Sequence, residues 1–344
     1  MLSIDAEAAD RLLPSCRRCF PSRTDLRIRD LASVGAGWEC DVFSFVLEGQ
    51  EAGTARRENL ILRVYAGSDV VQKSAREFAA LRQLHRSGYP VPRALALEQE
   101  GSPLSRPFVI MERIEGPLLG ELWPRTSPQR RRELLALFLN LFVDLHALDW
   151  RPFVADPSSH RPEESVGATL DSLLAYARRL RRSEFEPVLA WLKARLGEVP
   201  PGRLAVTHGD YHARNILVRP DGVPFVVDWT QSDVTDYRFD LGWTLLVIGA
   251  FDGPAARDGI LAEYERLAGS PATAVEYFEV GACVRFLLPI VASLAEGPEV
   301  AGMRSEATAQ MRGSLRQVAA VRSLLRDRTG LTIPSVEALL AGQA

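Results

Sequence analysis

The stretch from residue 208 to residue 229 constrains the fold of this chain more than any other. Two apolar runs, at 216–218 and 225–227, flank a Pro-Asp-Gly turn and predict a short β-hairpin. Oxygen-bearing side chains lie at the ends of this hairpin: Asp210, Asn215 and Asp228. Mg²⁺ takes one or two oxygens from a protein and completes its coordination shell with phosphate and water. The stretch therefore predicts Mg²⁺-dependent phosphoryl transfer.

The spacing within this stretch narrows the prediction. Protein kinases place a metal-binding Asn shortly after the catalytic Asp, and a second metal-binding Asp beyond a hairpin. Here Asn215 follows Asp210 by five residues, and Asp228 lies beyond the hairpin. The local variant, His-Gly-Asp-x-His-x-x-Asn with Asp-Trp in place of Asp-Phe-Gly, resembles the aminoglycoside phosphotransferase and choline kinase family of small-molecule kinases.

The resemblance implies an α+β fold of two lobes, like that of protein kinases. A small antiparallel N-lobe with one main helix would bind the nucleotide over residues 25–112. A larger, mostly helical C-lobe over 113–344 would hold the catalytic loop and the acceptor site. Residues 1–24 would form an N-terminal extension, in which a short helix over 5–13 is expected to end at Pro14.

Composition excludes several other classes of protein. With 344 residues, of which 47% are hydrophobic and 25% charged, the chain has the composition of an ordinary globular protein with room for two cores. A net charge of −3 argues against nucleic acid as the main partner. The four cysteines make no disulfide framework, and Cys16 and Cys19 are interpreted as ordinary thiols rather than as a zinc or redox pair.

The N-terminal residues and the apolar runs bear on where the protein is expected to reside. The first residues lack the basic start and apolar core of a secretory signal, and the apolar runs at 241–251 and 286–295 are too short to span a bilayer. We therefore expect a cytoplasmic protein without membrane or nucleic-acid partners. The sequence leaves the oligomeric state open.

Candidate nucleotide-binding residues follow in the predicted N-lobe. Gly35 and Gly37 lie between two strands, where backbone can approach a phosphate closely, although a plain hairpin turn would account for them equally well. Arg63 lies on a predicted strand over 60–65, where protein kinases carry a phosphate-binding Lys. Glu77, on a predicted helix over 69–87, is the expected partner of Arg63. The alternatives are a solvent-facing Arg and a solvated Glu.

The resemblance assigns the remaining roles. Residues 107–116 would form the hinge, where the backbone of Glu112 and Ile114 would meet the base of ATP or GTP. Asp210 would orient the acceptor hydroxyl and accept its proton, while Asn215 and Asp228 would hold Mg²⁺ against the phosphates. Supporting roles in the structure, without chemistry of their own, are expected for four further side chains: His146, His208, His212 and Asp240.

The acceptor is predicted from charge. Residues 228–299 contain twelve acidic and four basic residues, and a negative wall would attract an amine-bearing acceptor such as an aminoglycoside or an amino alcohol. The carboxylates expected to bind the amine are Asp233, Asp236 and Asp252. A neutral macrolide or sugar acceptor is the alternative, because Trp229, Trp243 and Phe251 could line an apolar pocket.

A catalytically silent pseudokinase is the rival from another class of protein. Arg63 and Trp229, at positions where protein kinases have Lys and Phe, are the features that favour it. Retention of Asp210, Asn215 and Asp228 together argues for an active enzyme.

Overall fold

The computed structural model describes residues 7–36, 40–123, 126–304 and 307–342. This part of the chain falls into two compact units. The first unit contains the described residues up to Pro117 together with Ile216–Gln231 and Gly302–Arg304. The second unit contains Leu118–Asn215, Ser232–Ala301 and the described residues from 307 onward. The chain therefore passes into the first unit directly after Asn215 and returns to the second at Ser232.

The first unit is built on a five-stranded sheet. Its strands are β1 (Arg23–Ala36), β2 (Cys40–Glu51), β3 (Thr54–Tyr65), β4 (Ala94–Glu98) and β5 (Phe108–Glu112). They pair antiparallel in the order β1-β2-β3-β5-β4. The second half of β3 is the strand predicted over 60–65, and helix α2 (Val70–Arg86) confirms the helix predicted over 69–87.

Helix α1 (Ala8–Cys19) runs through Pro14, so the prediction that Pro14 ends this helix is wrong. A proline inside a helix removes one backbone donor and costs about 3 kcal/mol. Packing offsets that cost, because Ala8, Leu12 and Cys16 are buried in one core with the apolar residues of β2 and β3. Full burial of a leucine such as Leu12 stabilises the fold by about 1.5–3 kcal/mol.

The cysteines on this helix have no sign of special chemistry. Cys16 and Cys19 are free thiols, and burial raises the pKa of Cys16 to about 12. Burial raises the pKa of Cys19 as well. Zinc binding and disulfide exchange both need the thiolate, which these shifts disfavour.

The predicted hairpin is present. It consists of β7 (Ile216–Val218) and β8 (Pro224–Val226), which pair antiparallel. Its backbone is tied to the first unit, since the Val218 N–H donates to the Pro117 carbonyl (3.0 Å). Gly116 allows this approach: it has φ of 155°, and a Cβ there would lie 2.1 Å from the Val218 oxygen. A side chain at 116 would therefore displace the hairpin.

A short segment late in the chain also belongs to the first unit. Arg304 Nη2 lies 3.1 Å from Asp41 Oδ1, and both side chains are buried. Lys73 Nζ donates to the Gly302 carbonyl (3.4 Å). The segment Gly302–Arg304 is thus attached to β2 and α2 through an ion pair and a hydrogen bond.

The second unit is mostly helical. Its helices are α3 (Leu119–Leu122), α4 (Pro128–Ala147), α5 (Pro162–Arg179), α6 (Glu186–Arg195), α7 (Tyr237–Asp252), α8 (Pro254–Ala268), α9 (Val275–Glu296), α10 (Ala307–Gly313), α11 (Leu315–Thr329) and α12 (Pro334–Ala341). Helix α4 begins as predicted, with Pro128 in its first turn and the Ser127 hydroxyl accepting from the Arg130 N–H (3.2 Å). Two short strands, β6 (Leu204–Thr207) and β9 (Asp233–Asp236), pair antiparallel. The sequence had not predicted β9.

Helix α9 is the core helix of this unit. Among the described residues it is the one helix long and apolar enough to cross a membrane by length and composition, with 22 residues and a mean hydropathy of 1.7. However, 78% of its apolar window is buried inside the protein, as in the core helix of a globular fold. The sequence prediction considered only the run at 286–295, which is half of this helix.

Candidate active site

The loop that carries Asp210 follows β6, and the Asp240 carboxylate holds the backbone of this loop through two hydrogen bonds. Asp240 Oδ2 accepts from the His208 N–H (2.7 Å), and Oδ1 accepts from the Gly209 N–H (2.9 Å). Asp240 lies in the first turn of α7, the helix that directly follows β9, and is 1% exposed. The predicted supporting role of Asp240 is therefore confirmed.

Behind Asp240 lies a buried histidine, which is structural as predicted. His146 Nδ1 lies 2.8 Å from the Tyr264 hydroxyl, and His146 Nε2 lies 3.4 Å from Asp240 Oδ2. Burial lowers the pKa of His146, so the ring is neutral and its Nε2–H faces the carboxylate. Burial alone would raise the pKa of Asp240. The interactions with His146 and with the His208 amide outweigh the effect of burial, so the pKa of Asp240 is lowered.

Asp210 lies at the surface of the second unit with its side chain 33% exposed. The Trp243 indole N–H donates to Oδ1 (2.8 Å), and His212 Nε2 lies 3.5 Å from the same oxygen. Desolvation opposes ionisation, yet His212, which approaches the carboxylate, together with His208 and Arg285 holds the pKa of Asp210 well below its usual value. Asp210 is therefore a carboxylate at neutral pH and can accept a hydrogen bond from a hydroxyl.

Asn215 ends the short 3₁₀ turn that follows Asp210. Its Nδ2 donates to the Asp210 carbonyl (2.9 Å) and lies 3.4 Å from Asp210 Oδ2. These contacts fix the amide with its nitrogen toward Asp210. The amide oxygen of Asn215 is thereby left for another partner, and an amide oxygen is a suitable Mg²⁺ ligand.

In the first unit, Arg63 joins two carboxylates. Its Nε lies 3.1 Å from Glu77 Oε2, and its Nη2 donates to Asp228 Oδ1 (2.8 Å). Arg63 is 8% exposed and Glu77 is fully buried, so the solvent-facing alternatives for both residues are wrong. The predicted pairing of Arg63 with Glu77 is confirmed. The direct contact of Arg63 with Asp228 was not predicted from the sequence.

Glu77 has two further donors. The Tyr65 hydroxyl donates to Oε2, and the Trp229 N–H donates to Oε1 (3.3 Å). Burial raises the pKa of Glu77, while the charge of Arg63 opposes the shift. Sequence reasoning missed Tyr65. Its position two residues after Arg63 on β3 places both side chains on one face of the sheet, a signal that was available.

Asp228 occupies a left-handed backbone conformation, with φ of 68°. Such a conformation is uncommon outside glycine, although Asp tolerates it better than most residues. Its Oδ1 accepts from both Arg63 and the Thr230 hydroxyl (3.2 Å). No hydrogen bond reaches Oδ2 from the described residues, which leaves this oxygen for a cation.

The described residues contain no cluster of three or more His, Cys, Asp or Glu side chains able to hold a metal ion. The binding of Mg²⁺ by one oxygen each from Asp228 and Asn215, with phosphate and water giving the rest, stays a prediction. Asp228 belongs to the first unit and Asn215 to the second.

The remaining nucleotide candidates have mixed outcomes. Gly35 lies near the end of β1 with no atom within 4 Å of an added Cβ, while Gly37 lies outside the described residues. The Glu112 N–H donates to the Arg93 carbonyl (3.0 Å), so the amide of Glu112 is not available to a base. The contacts of Gly35, Glu112 and Ile114 with nucleotide stay predictions.

Of the three predicted amine-binding carboxylates, one is wrong. Asp236 is fully buried, caps α7 by accepting from the Arg238 N–H (3.0 Å), and pairs with the Arg238 guanidinium (2.7 Å). A carboxylate already neutralised in this way cannot hold an acceptor amine. Asp233 and Asp252 are exposed, and their roles stay predictions.

Comparison with known proteins decides the family. Residues 30–275 match the phosphotransferase enzyme family. The chain belongs to that family. The match confirms the family suspected from the stretch between His208 and Asn215, and with it the prediction of a small-molecule phosphotransferase.

Individual relatives of this phosphotransferase are distant. Acyl-CoA dehydrogenase family member 10 of Mus musculus is 24% identical over 264 residues, a stretch that covers 70% of this chain. The chain spans only about a quarter (24%) of the length of that curated relative. The mouse protein's name describes the whole protein, and it transfers no activity to this chain.

Two solved structures show the fold. A Ralstonia eutropha protein provisionally named an aminoglycoside phosphotransferase is 17% identical, with a TM-score of 0.62 over 91% of this chain and 98% of its own. APH(2″)-IIa, solved with streptomycin and ATP, is 14% identical, with a TM-score of 0.57 over 92% of this chain and 99% of its own. These likenesses confirm the predicted α+β fold of aminoglycoside phosphotransferases.

Proposed function

We propose that this phosphotransferase moves the γ-phosphoryl group of ATP to a hydroxyl group of a small molecule, with Mg²⁺ as cofactor. The observation that carries the proposal is Asp210, a half-buried carboxylate held by Trp243 with Asn215 fixed beside it. The choice of donor is supported by APH(2″)-IIa, a protein of the same fold solved with ATP. We place the enzyme in the cytoplasm, where ATP is abundant.

In this mechanism Asp210 accepts a hydrogen bond from the acceptor hydroxyl and takes its proton late in the transfer. Its lowered pKa suits that role, because the transition state of phosphoryl transfer is loose and needs little base strength. Arg63 holds phosphate oxygens with a permanent charge, and Glu77 keeps its guanidinium in place. Asn215 and Asp228 would hold Mg²⁺, which neutralises charge on the phosphates when bound.

The charge around Asp210 bears on the acceptor. Arg285 lies over the Trp243 ring and lowers the pKa of Asp210, and His212 approaches the same carboxylate. An ammonium group next to the reacting hydroxyl would meet the positive charge of Arg285, and Asp236 is not available to attract it. We therefore favour an acceptor that is uncharged near its reacting hydroxyl, such as a sugar or macrolide. In an aminoglycoside or amino alcohol the amine would have to bind farther away, at Asp233 or Asp252.

A panel of acceptors tests both parts of the proposal. The enzyme is incubated with Mg²⁺·ATP and kanamycin, choline, erythromycin or glucose, and the products are examined by mass spectrometry for the mass of one phosphoryl group. Asp210→Asn serves as the matched inactive control. We expect a product with an uncharged acceptor at a rate indifferent to salt. Phosphorylation of amines alone, slowed as ionic strength rises, would overturn the choice of acceptor and would support a role in antibiotic resistance.

Absence of transfer to any compound of a wider hydroxylated panel, with ATP bound normally, would contradict the proposed function itself. Measuring Mg²⁺·ATP binding by calorimetry in the same samples separates that outcome from a misfolded preparation.

A further inference from the structure

Trp243 makes the shortest side-chain hydrogen bond to Asp210. Its indole Nε1–H donates to Oδ1 at 2.8 Å, whereas His212 Nε2 lies at 3.5 Å from that oxygen. The other carboxylate oxygen, Oδ2, is approached by Asn215 Nδ2 at only 3.4 Å, because that nitrogen makes its shorter bond to the Asp210 carbonyl. The two oxygens of Asp210 are therefore unequal: Oδ1 is firmly held and Oδ2 is not.

The Trp243 ring is itself fixed by neighbours on α9. The Arg285 guanidinium carbon lies 4.3 Å from the centre of the indole, and the Phe286 ring lies 6.3 Å away at a tilt of 44°. A cation over an indole face is a favourable electrostatic contact. Arg285 and Phe286 together restrict the rotamers of Trp243, so its N–H points at one place.

The approach of α7 to α9 depends on the residue before Trp243. A Cβ at Gly242 would lie 2.9 Å from the backbone carbon of Phe278 on α9, closer than real Cβ atoms come. The absence of a side chain at Gly242 lets the helices pack closely. Close packing at this point places Trp243, the next residue along α7, within reach of Arg285 and Phe286.

We propose that Trp243 is the positioning residue for Asp210: by holding Oδ1 it makes Oδ2 the oxygen that takes the proton of the acceptor, and Arg285 and Phe286 hold the indole for this task. In the reaction, the acceptor oxygen forms a bond to the γ-phosphorus while the bond from that phosphorus to the β–γ bridging oxygen breaks. ADP leaves, and the hydroxyl proton passes to Oδ2. The inference rests on the proposed function, since it concerns the same transfer.

The sharpest test removes one hydrogen-bond donor without changing the shape of the ring. Replacing Trp243 by β-(3-benzothienyl)alanine, in which sulfur stands for the indole N–H, keeps the contacts with Arg285 and Phe286. We expect kcat for the fastest acceptor of the panel to fall about 10- to 100-fold, because a hydrogen bond to a charged carboxylate is lost. The KM for ATP, the dissociation constant of Mg²⁺·ATP and the melting temperature should stay at wild-type values.

The chain offers a matched control. Trp191 on α6 also lies under an arginine, with the Arg195 guanidinium carbon 4.2 Å from its ring centre. Among the described residues it is Trp243, and not Trp191, whose indole donates to Asp210. The same replacement at Trp191 should leave kcat unchanged. Trp243→Phe, made by ordinary mutagenesis, should reproduce the loss of kcat at Trp243 and provides the test if the analogue is poorly incorporated.

Two results would overturn the inference. One is a kcat within twofold of wild type for both Trp243 variants. The other is a loss confined to the KM of the acceptor, which would make Trp243 a binding residue. In either case the wild-type enzyme still transfers phosphate and Asp210→Asn is still strongly impaired, so the proposed function would stand. If the wild type transferred phosphate to nothing, the proposed function would fail first.

Discussion

Replacement of Arg63 should destabilise the first unit strongly. When Glu77 is replaced as well, the loss in the free energy of unfolding should be smaller than the sum of the losses in the two single variants. In Arg63→Met the methionine fills part of the space, but Glu77 is left fully buried without its counter-charge. Breaking a buried ion pair from one side typically costs about 3–5 kcal/mol. Two donors remain on Glu77, from Tyr65 and the Trp229 amide, which favours the lower end, about 3 kcal/mol.

The double variant Arg63→Met with Glu77→Gln removes both charges. The glutamine side chain would keep an oxygen for the Trp229 N–H, so no buried charge is left unpaired. We therefore expect the pair to recover about 1–2 kcal/mol of the summed losses as a coupling energy. Urea unfolding of the four proteins in a double-mutant cycle measures it, and Mg²⁺·ATP binding by calorimetry reports the functional loss in Arg63→Met. Losses that add within about 0.5 kcal/mol would refute the argument, since independent sites add to that extent.

Three other changes test other parts of the site. Asp210→Asn should lower kcat by about two to four orders of magnitude with Mg²⁺·ATP binding retained, and steady-state kinetics within a few-fold of wild type would remove Asp210 from its role. Asp228→Ala should abolish Mg²⁺-dependent ATP binding and Asn215→Ala should weaken it less; unchanged calorimetry for Asp228→Ala would contradict the metal assignment. In His146→Gln the free energy of unfolding should fall less steeply than in wild type as the pH drops below 6.5. The pKa of His146 is lowered in the folded protein, so the unfolded chain takes up the proton first as the pH falls. The free energy of unfolding of the wild type therefore drops by up to about 1.4 kcal/mol per pH unit in this range. If thermal or urea unfolding gave the same pH dependence for wild type and His146→Gln, His146 would be protonated in the folded protein.

The parts of the site that could be predicted from the sequence are those fixed by local chain geometry. Asp210 and Asn215 are held together by one loop, and the hairpin formed by β7 and β8 follows from apolar runs around a turn. The pairing of Arg63 with Glu77 was accessible because the order of strand and helix in the suspected family placed them together. The loop and the hairpin need no knowledge of how distant elements pack, whereas the pairing of Arg63 with Glu77 came from the resemblance.

The errors and omissions arise where packing decides. Pro14 ends a helix by local rules, but burial of Leu12 and Cys16 carries α1 past it. Asp236 counted as one of many acids in the sequence, and only the fold pairs it with Arg238. Trp243 on α7 reaches Asp210 across 33 residues of chain, and no periodicity in the sequence reports that contact.

The route of the chain through the two units has a consequence during synthesis on the ribosome. The first unit needs Ile216–Gln231, because Asp228 pairs with Arg63 and the Trp229 N–H donates to Glu77. It also needs Gly302–Arg304, because Arg304 pairs with Asp41. The emerging polypeptide therefore has no complete first unit when Pro117 leaves the exit tunnel, nor when Asn215 does. Until Trp229 has been translated, Glu77 lacks the Trp229 donor, and until Asp228 has been translated, Arg63 lacks Asp228. A proteolytic fragment ending at Pro117 should accordingly be recovered as a loosely folded species that binds no Mg²⁺·ATP.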